Sequence, residues 1–318
     1  MTRLIVGTRG SALARCQTEM CIEALLRLRP ELEIERRIIS TTGDQLLDHP
    51  LTKIDDKGLF TRQIEKALLC GEIDLAVHSL KDLPTEPTPD LVLAAIMERE
   101  DPRDMLVSPR GLGPDGLPPD VRIGTGSPRR RAQIRLLRPD CRCLEIRGNV
   151  ETRLRKLEQS GEYDALVLAA AGVRRLGLLD ERMLPLSFEQ MLPAPGQGAM
   201  AVQCRENDRR LRELLALLDH RLTRLAVEAE RALLEFTEGG CHVPLGAHCR
   251  VTENALELQG LIATPEGDLV LRRSAIGSSD DPRELGRRLG RELLALDEDG
   301  RIAAALRPER CGDERGQR

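Results

Sequence analysis

The sequence predicts an α/β protein of two alternating domains joined by a hinge, with a small α+β domain towards the C-terminus. Three observations predict it. Over the first hundred residues, short β-rich runs alternate with helical ones: "RLIVGT", "SALARCQTEMCIEALLRL", "IERRIIS", "LFTRQIEKALL", "IDLAVHS" and "LVLAAIM". That alternation is the signature of parallel strands joined by crossover helices. After a polar break, "EREDPRD" (98–104), the pattern restarts with "VRIGTG", "SPRRRAQIRLL", "RCLEIR", "NVETRLRKLEQ" and "YDALVLAAAGV". Finally "LPAPGQGAM" (192–200) carries two prolines and two glycines, which suits a crossing between domains.

The elements then fall into place in chain order. Residues 1–98 form the first α/β domain and 104–192 the second. "AMAVQC" reads as a buried strand that returns to the first sheet, so 199–217 rejoin the first domain. Two linkers between the same pair of domains make a hinge with a cleft. "TRLAVEAERALLEF" is a helix, "ALELQGLIATPEGDLVLRRSAI" a strand hairpin and "PRELGRRLGRELLAL" a second helix, giving a third, α+β domain over 221–306. The tail "RPERCGDERGQR" (307–318) is expected to be disordered.

Composition bounds the function. At 318 residues the chain exceeds one ordinary core. Nine cysteines are scattered without framework spacing, and no apolar run has the length of a signal or membrane segment, so a cytoplasmic protein with reduced thiols is expected. There are five lysines (53, 57, 66, 81 and 156) against 43 arginines, so each lysine marks a place where a compact, titratable ammonium matters. One tyrosine, three phenylalanines and no tryptophan leave no platform for base stacking, and net charge is −4, which argues against nucleic-acid binding.

Several motifs carry possible chemistry. "VGTRGS" (6–11) and "IGTGS" (123–127) each end a strand and open a helix, where free amides and the helix dipole favour an anion; each reads equally as a turn with a serine cap. "GTGSPRRR" places Arg129, Arg130 and Arg131 in a first helical turn, against the dipole, so they call for a compensating anion or an exposed helix start. Arg147, Arg153, Arg174 and Arg175 lie at or after C-terminal strand ends, where open α/β sheets bind ligands. "IDLAVHSLKDLP" ends a strand in Ser79, Lys81 and Asp82, which reads as a salt bridge or, in an arginine-lined cleft, as a carboxylate stabilising cationic charge. The polar loop 41–60 reads as a lid. In "EGGCHVPLGAHC", Cys241, His242, His248 and Cys249 are zinc-ligand types, yet adjacent ligand pairs suit tetrahedral closure poorly, and no metal is expected.

Taken together and in this order, "HSLKDLP", "GTGSPRR", "RGNVETRL", "LPAPGQGA" and "EGGC" resemble the porphobilinogen deaminase (hydroxymethylbilane synthase) family over about residues 4–306. The resemblance implies two lobes like a type II periplasmic binding protein, plus the third domain. It implies a dipyrromethane cofactor bonded through a thioether to Cys241, porphobilinogen as substrate, Asp82 as the catalytic carboxylate and a monomer. It further implies cofactor- or substrate-binding roles for Arg9, Gln17, Lys53, Lys57, Phe60, Ser79, Lys81, Thr125, Ser127, Arg129, Arg130, Arg147, Asn149, Arg153 and Arg175. Lys53 and Lys57 match lid lysines. The chain departs from the family pattern at Asp55, Gly126, Pro128 and His242. A non-catalytic two-lobed anion-binding protein is the rival from another class, and a zinc hydrolase built on the Cys/His cluster is a third reading.

Overall fold

The computed structural model describes residues 3–41, 61–237, 244–253 and 255–306. The first lobe is built from β1 (Arg3–Thr8), α1 (Ala12–Leu28), β2 (Glu33–Ile38), α2 (Arg62–Leu69), β3 (Leu75–Ser79) and β4 (Leu91–Ile96). The second contains β5 (Asp104–Val107), β6 (Arg122–Gly124), α3 (Pro128–Leu137), β7 (Arg142–Leu144), α4 (Val150–Gln159), β8 (Ala165–Ala169), α5 (Ala170–Arg175) and β9 (Met183–Pro185). The chain then returns through β10 (Met200–Arg205) and α6 (Arg209–Leu215). It ends in α7 (Arg221–Phe236), β11 (Leu245–Val251), β12 (Leu256–Ala263), β13 (Val270–Gly277), α8 (Pro282–Leu294) and α9 (Arg301–Leu306).

The two large sheets have orders β2-β1-β3-β10-β4 and β7-β6-β8-β5-β9. Numbered within each lobe, both read second, first, third, incoming, fourth, where the incoming strand is the one that arrives from the other lobe. This is the arrangement of type II periplasmic-binding-protein lobes, and the molecule has that fold with a small α+β domain appended. The expectation of parallel sheets needs one correction. β10 runs antiparallel to β3 and β4, and β5 antiparallel to β8 and β9. Each of these strands enters its sheet from the hinge rather than through a crossover helix, so it runs against its neighbours.

β3 lies inside its sheet, and Leu75, Ala76 and Val77 are all at most 4% exposed. A strand covered on both faces reads as a continuous apolar run, which is why "LAVHS" lacks alternation. At the hinge the two crossings touch. Gly198 has φ +89°, and a Cβ there would stand 2.4 Å from Glu100 O, so only glycine lets the backbones meet.

The third domain is a three-stranded antiparallel sheet, β11-β12-β13, covered by α7 and α8, with Leu233, Leu245, Leu258 and Leu289 in its core. The strand β11 was not anticipated, because proline, glycine and histidine break its apolar pattern. Its consecutive residues His248 and Cys249 face opposite ways: Cys249 joins the core, while the His248 ring stacks on Phe188 of the segment after β9 at 3.7 Å. They therefore do not converge on one ion.

Helix α7 also clasps the hinge. Glu230, fully buried, accepts from Arg99 Nη1 (2.7 Å) and Nη2 (3.0 Å) on the first crossing, from Gly196 N (2.8 Å) on the second, and from Cys249 N (2.8 Å) on β11. A buried carboxylate is tolerable only with such donors around it.

Candidate active site

β3 delivers Ser79 to the cleft, and a 3-10 turn, Leu80–Asp82, follows. Leu80 is fully buried and its amide donates to Ala199 O (3.0 Å), which pins the turn while Lys81 and Asp82 stay partly exposed. From α7 the guanidinium of Arg231 donates to the carbonyls of Leu80 (3.4 Å), Leu83 (3.1 Å) and Pro84 (2.5 Å). Burial pushes the pKa of Arg231 down to about 10. The third domain thus holds the turn that presents Asp82.

One cavity in the first lobe brings together Arg9, Ser11, Gln17, Thr61, Ser79 and Asp82. Gln17 of α1 is hydrogen-bonded to the Ser79 hydroxyl at 3.0 Å. His78 lies beneath them, 5% exposed, with Nε2 3.0 Å from Gln203 Oε1; Gln203 Nε2 donates in turn to Glu65 (2.9 Å). Since the Gln203 carbonyl faces the ring, His78 Nε2 carries the proton. Burial, reinforced by the charge of Arg9, lowers the His78 pKa to about 4, so this ring is neutral at ordinary pH.

Lys81 reaches across the hinge. Its Nζ donates to Gln197 Oε1 (3.3 Å), and Gln197 Nε2 donates to Pro102 O (2.8 Å) and Asp104 Oδ1 (3.0 Å). Burial and then the like charge of Arg130 lower its pKa to about 8, against the opposing pull of Asp82 and Asp104.

The serine-cap reading of the glycine turns holds in the geometry of both lobes: in the first, Ser11 Oγ accepts from Ala14 N, and in the second, Ser127 Oγ accepts from Arg130 N, with Pro128 opening α3. Thr125 Oγ1 accepts from Ser127 N (3.2 Å), and Asn149 Oδ1 caps α4 through Thr152 N (2.8 Å). The anion that Arg129 and Arg130 call for proves to be internal. Asp104, fully buried, accepts from Arg129 Nη1 (2.7 Å) and from Arg130 Nε (3.0 Å) and Nη2 (2.7 Å). The two guanidiniums hold its carboxyl far below the usual carboxylate range against its burial. One carboxylate faces two guanidiniums, so positive charge is left over.

That surplus extends towards Arg147 and Arg153. Arg153 donates from Nε to Gly148 O (2.8 Å) and is pushed down to about 10 by burial and by the like charges of Arg130 and Arg147. Arg147 Nε stands 2.8 Å from Glu145 Oε1 without hydrogen-bond alignment, and Glu145 is shared with Arg131. Across the hinge Arg175 Nη2 donates to Gly198 O (2.7 Å), and its buried Nε has no acceptor among the described residues. α1 closes on this face through Cys16 Sγ, which donates to Arg175 O (3.1 Å).

Sequence reasoning missed Asp104, read as part of a polar break, along with Glu230 and Arg231. The one available signal for Asp104 was its position directly before the apolar run "MLV". Cys241, His242, Lys53, Lys57, Phe60 and Asp55 lie outside the described residues, as does the tail 307–318.

The family model "Porphobilinogen deaminase, dipyromethane cofactor binding domain" matches residues 4–213. The chain belongs to the porphobilinogen deaminase family. The C-terminal domain model of the deaminase matches residues 224–295. Curated deaminases align along nearly their full length: that of Moorella thermoacetica is 48% identical, covering 93% of this chain and 94% of that protein, and that of Carboxydothermus hydrogenoformans is 46% identical over 92% and 93%. The deaminase of Xanthomonas oryzae pv. oryzae is 47% identical over 92% of this chain and 96% of its own.

Proposed function

We propose that this chain is a hydroxymethylbilane synthase of tetrapyrrole biosynthesis: it joins four porphobilinogen molecules head to tail with release of ammonia, on a dipyrromethane primer bonded to Cys241, and frees the product by hydrolysis. The observation that carries the reading is the pairing of a single carboxylate, Asp82, held by a pinned turn, with a surplus of guanidinium groups across the same hinge. The residues present fit the primer. Among the described residues the buried Nε of Arg175 has no hydrogen-bond acceptor, that of Arg147 meets Glu145 without alignment, and Arg153 is crowded by like charge, so this cluster suits the carboxylate side chains of pyrrole rings. When bound, the primer supplies a nucleophilic pyrrole carbon at the end of a tethered chain, which makes each coupling intramolecular.

The protein's own part is binding and electrostatics. Arg9, Lys81, Arg129, Arg130, Arg147, Arg153 and Arg175 offer cations to acetate and propionate groups, with Gln17, Ser79, Thr125, Ser127 and Asn149 beside them and Lys53, Lys57 and Phe60 from the lid loop. When the carbon–nitrogen bond of the porphobilinogen aminomethyl group breaks, ammonia leaves and positive charge spreads over the ring. Asp82 accepts the pyrrole N–H and stabilises that charge. A cytoplasmic monomer is what the family resemblance implies, and among the described residues no helix is long and apolar enough to cross a membrane.

The mass of the intact purified protein tests the reading. It is expected to exceed the sequence mass by two pyrrole units, and Cys241→Ser is expected to lack the increment. A wild-type mass equal to its own sequence mass, or the same increment over the sequence mass in Cys241→Ser, would overturn it.

Lys81 sets a pH limb. Its folded-state pKa lies near 8, so in the free enzyme the ammonium is lost as pH rises through that value. kcat/KM, which reports the free enzyme, is expected to fall above about pH 8, and Lys81→Met should lack this limb.

Arg231→Met is expected to lower turnover by about tenfold or more, because small displacements of a catalytic group are costly. Primer content by mass should be retained. Wild-type turnover in this variant would show that the turn holds without the guanidinium.

A further inference from the structure

Cys141 and Cys143 stand either side of Arg142 where β7 begins, and their Sγ atoms are 3.7 Å apart. Both side chains are half-buried on the core of the second lobe, against the cluster that includes Val121, Ile123 and Ile134. β7 is an edge strand, three residues long and bonded on one side only, to β6. Such a strand leaves one flank open to a small reagent and yields to a local change of backbone. The other described thiols are placed differently. Cys21, Cys204 and Cys249 are buried, and Cys16 donates to the Arg175 carbonyl. Cys70 is exposed.

We propose that Cys141 and Cys143 are a dithiol modification site that exchanges with low-molecular-weight disulfides and closes to an internal Cys141–Cys143 disulfide. Cys143 is the attacking group. The thiol–thiol contact with Cys141, and against its burial the charges of Arg135 and Arg131, draw its pKa below the usual thiol range, while the same contact raises that of Cys141. The Cys143 thiolate attacks one sulfur of the small disulfide, whose S–S bond breaks and releases one thiolate. Cys141 then gives its proton to water and attacks the Cys143 sulfur; the mixed disulfide breaks and the second thiolate leaves. The protein dithiol is oxidised by two electrons, and the small disulfide is reduced to two thiols. The Sγ atoms must close from 3.7 Å to a bonding distance of about 2.05 Å, and a short edge strand yields to the backbone change that this needs.

The full-length protein, first fully reduced, is incubated near neutral pH with oxidised glutathione, quenched with an alkylating agent, digested with a protease that spares Arg142 and analysed by mass. The peptide bearing both residues is expected to lose two hydrogens and take up no alkyl group. Cys141→Ser is expected to trap a glutathione adduct on Cys143 that forms about tenfold faster than the adduct on exposed Cys70. In Cys143→Ser, Cys141 should show no such acceleration. The proposal is overturned if Cys143 reacts no faster than Cys70, or if the wild-type peptide accumulates the glutathione adduct without closing.

Discussion

Asp82→Asn is expected to lower turnover by about 10²–10⁴-fold while the protein keeps its fold and its covalent primer. Asparagine matches the shape of aspartate but carries no charge, so it removes the one carboxylate that, among the described residues, stands at the cavity that Arg9, Gln17 and Ser79 line. The turn survives the change, because it is held by main-chain contacts: the Leu80 amide on Ala199 O, and Arg231 on three carbonyls. Loss of rate should therefore arrive without loss of stability. Turnover of porphobilinogen, intact mass and a thermal melt on the same sample separate the two. Turnover within a few-fold of wild type would remove Asp82 from its role.

Asp104→Asn is expected to have the largest effect on stability. The carboxylate is fully buried and holds Arg129, Arg130 and Gln197 together. Without its charge, two buried guanidiniums face each other uncompensated, and removing one partner of a buried ion pair costs about 3–5 kcal/mol. The loss should appear as a lower midpoint in denaturant titration. A change under about 0.5 kcal/mol, the range of ordinary surface substitutions, would show that the arginines find another partner. The same substitution separates two roles for these arginines. Added porphobilinogen, which brings its own carboxylates, should recover part of the midpoint if their charge is shared with ligand.

The two variants also mark how far the sequence could be read. The place of Lys81 and Asp82 just past a strand end was legible, because the apolar strand β3 leads into them and a strand end is a local pattern. The arginines were legible as a group, since Arg129, Arg130 and Arg131 open α3 while Arg147, Arg153 and Arg175 lie at or after strand ends. Their partner was not. Asp104 sits 25 and 26 residues before Arg129 and Arg130, and nothing local in "EREDPRD" separates a buried carboxylate from solvated charge. Glu230 was hidden in the same way, because in "AVEAERALLEF" it resembles any acid on the polar side of a helix, and its burial depends on Arg99 more than a hundred residues earlier. Strand direction failed for a related reason. The antiparallel run of β5 and β10 follows from the route through the hinge, which local periodicity does not record. β11 was passed over because the proline, glycine and histidine of "PLGAHCRV" break the apolar pattern of a strand.

The placement of β10 has a consequence for the birth of the molecule. β4 sits at the sheet edge with β10 as its neighbour, and β10 is the strand that separates it from β3. On the ribosome β4 emerges early, yet the whole second lobe must be translated before its partner appears. The nascent first lobe therefore waits, with β3 and β4 unjoined, until the chain has travelled out through one lobe and back. A fragment ending at residue 98 would lack the strand that completes its own sheet, so the two lobes, each with its own sheet, are a single unit in assembly.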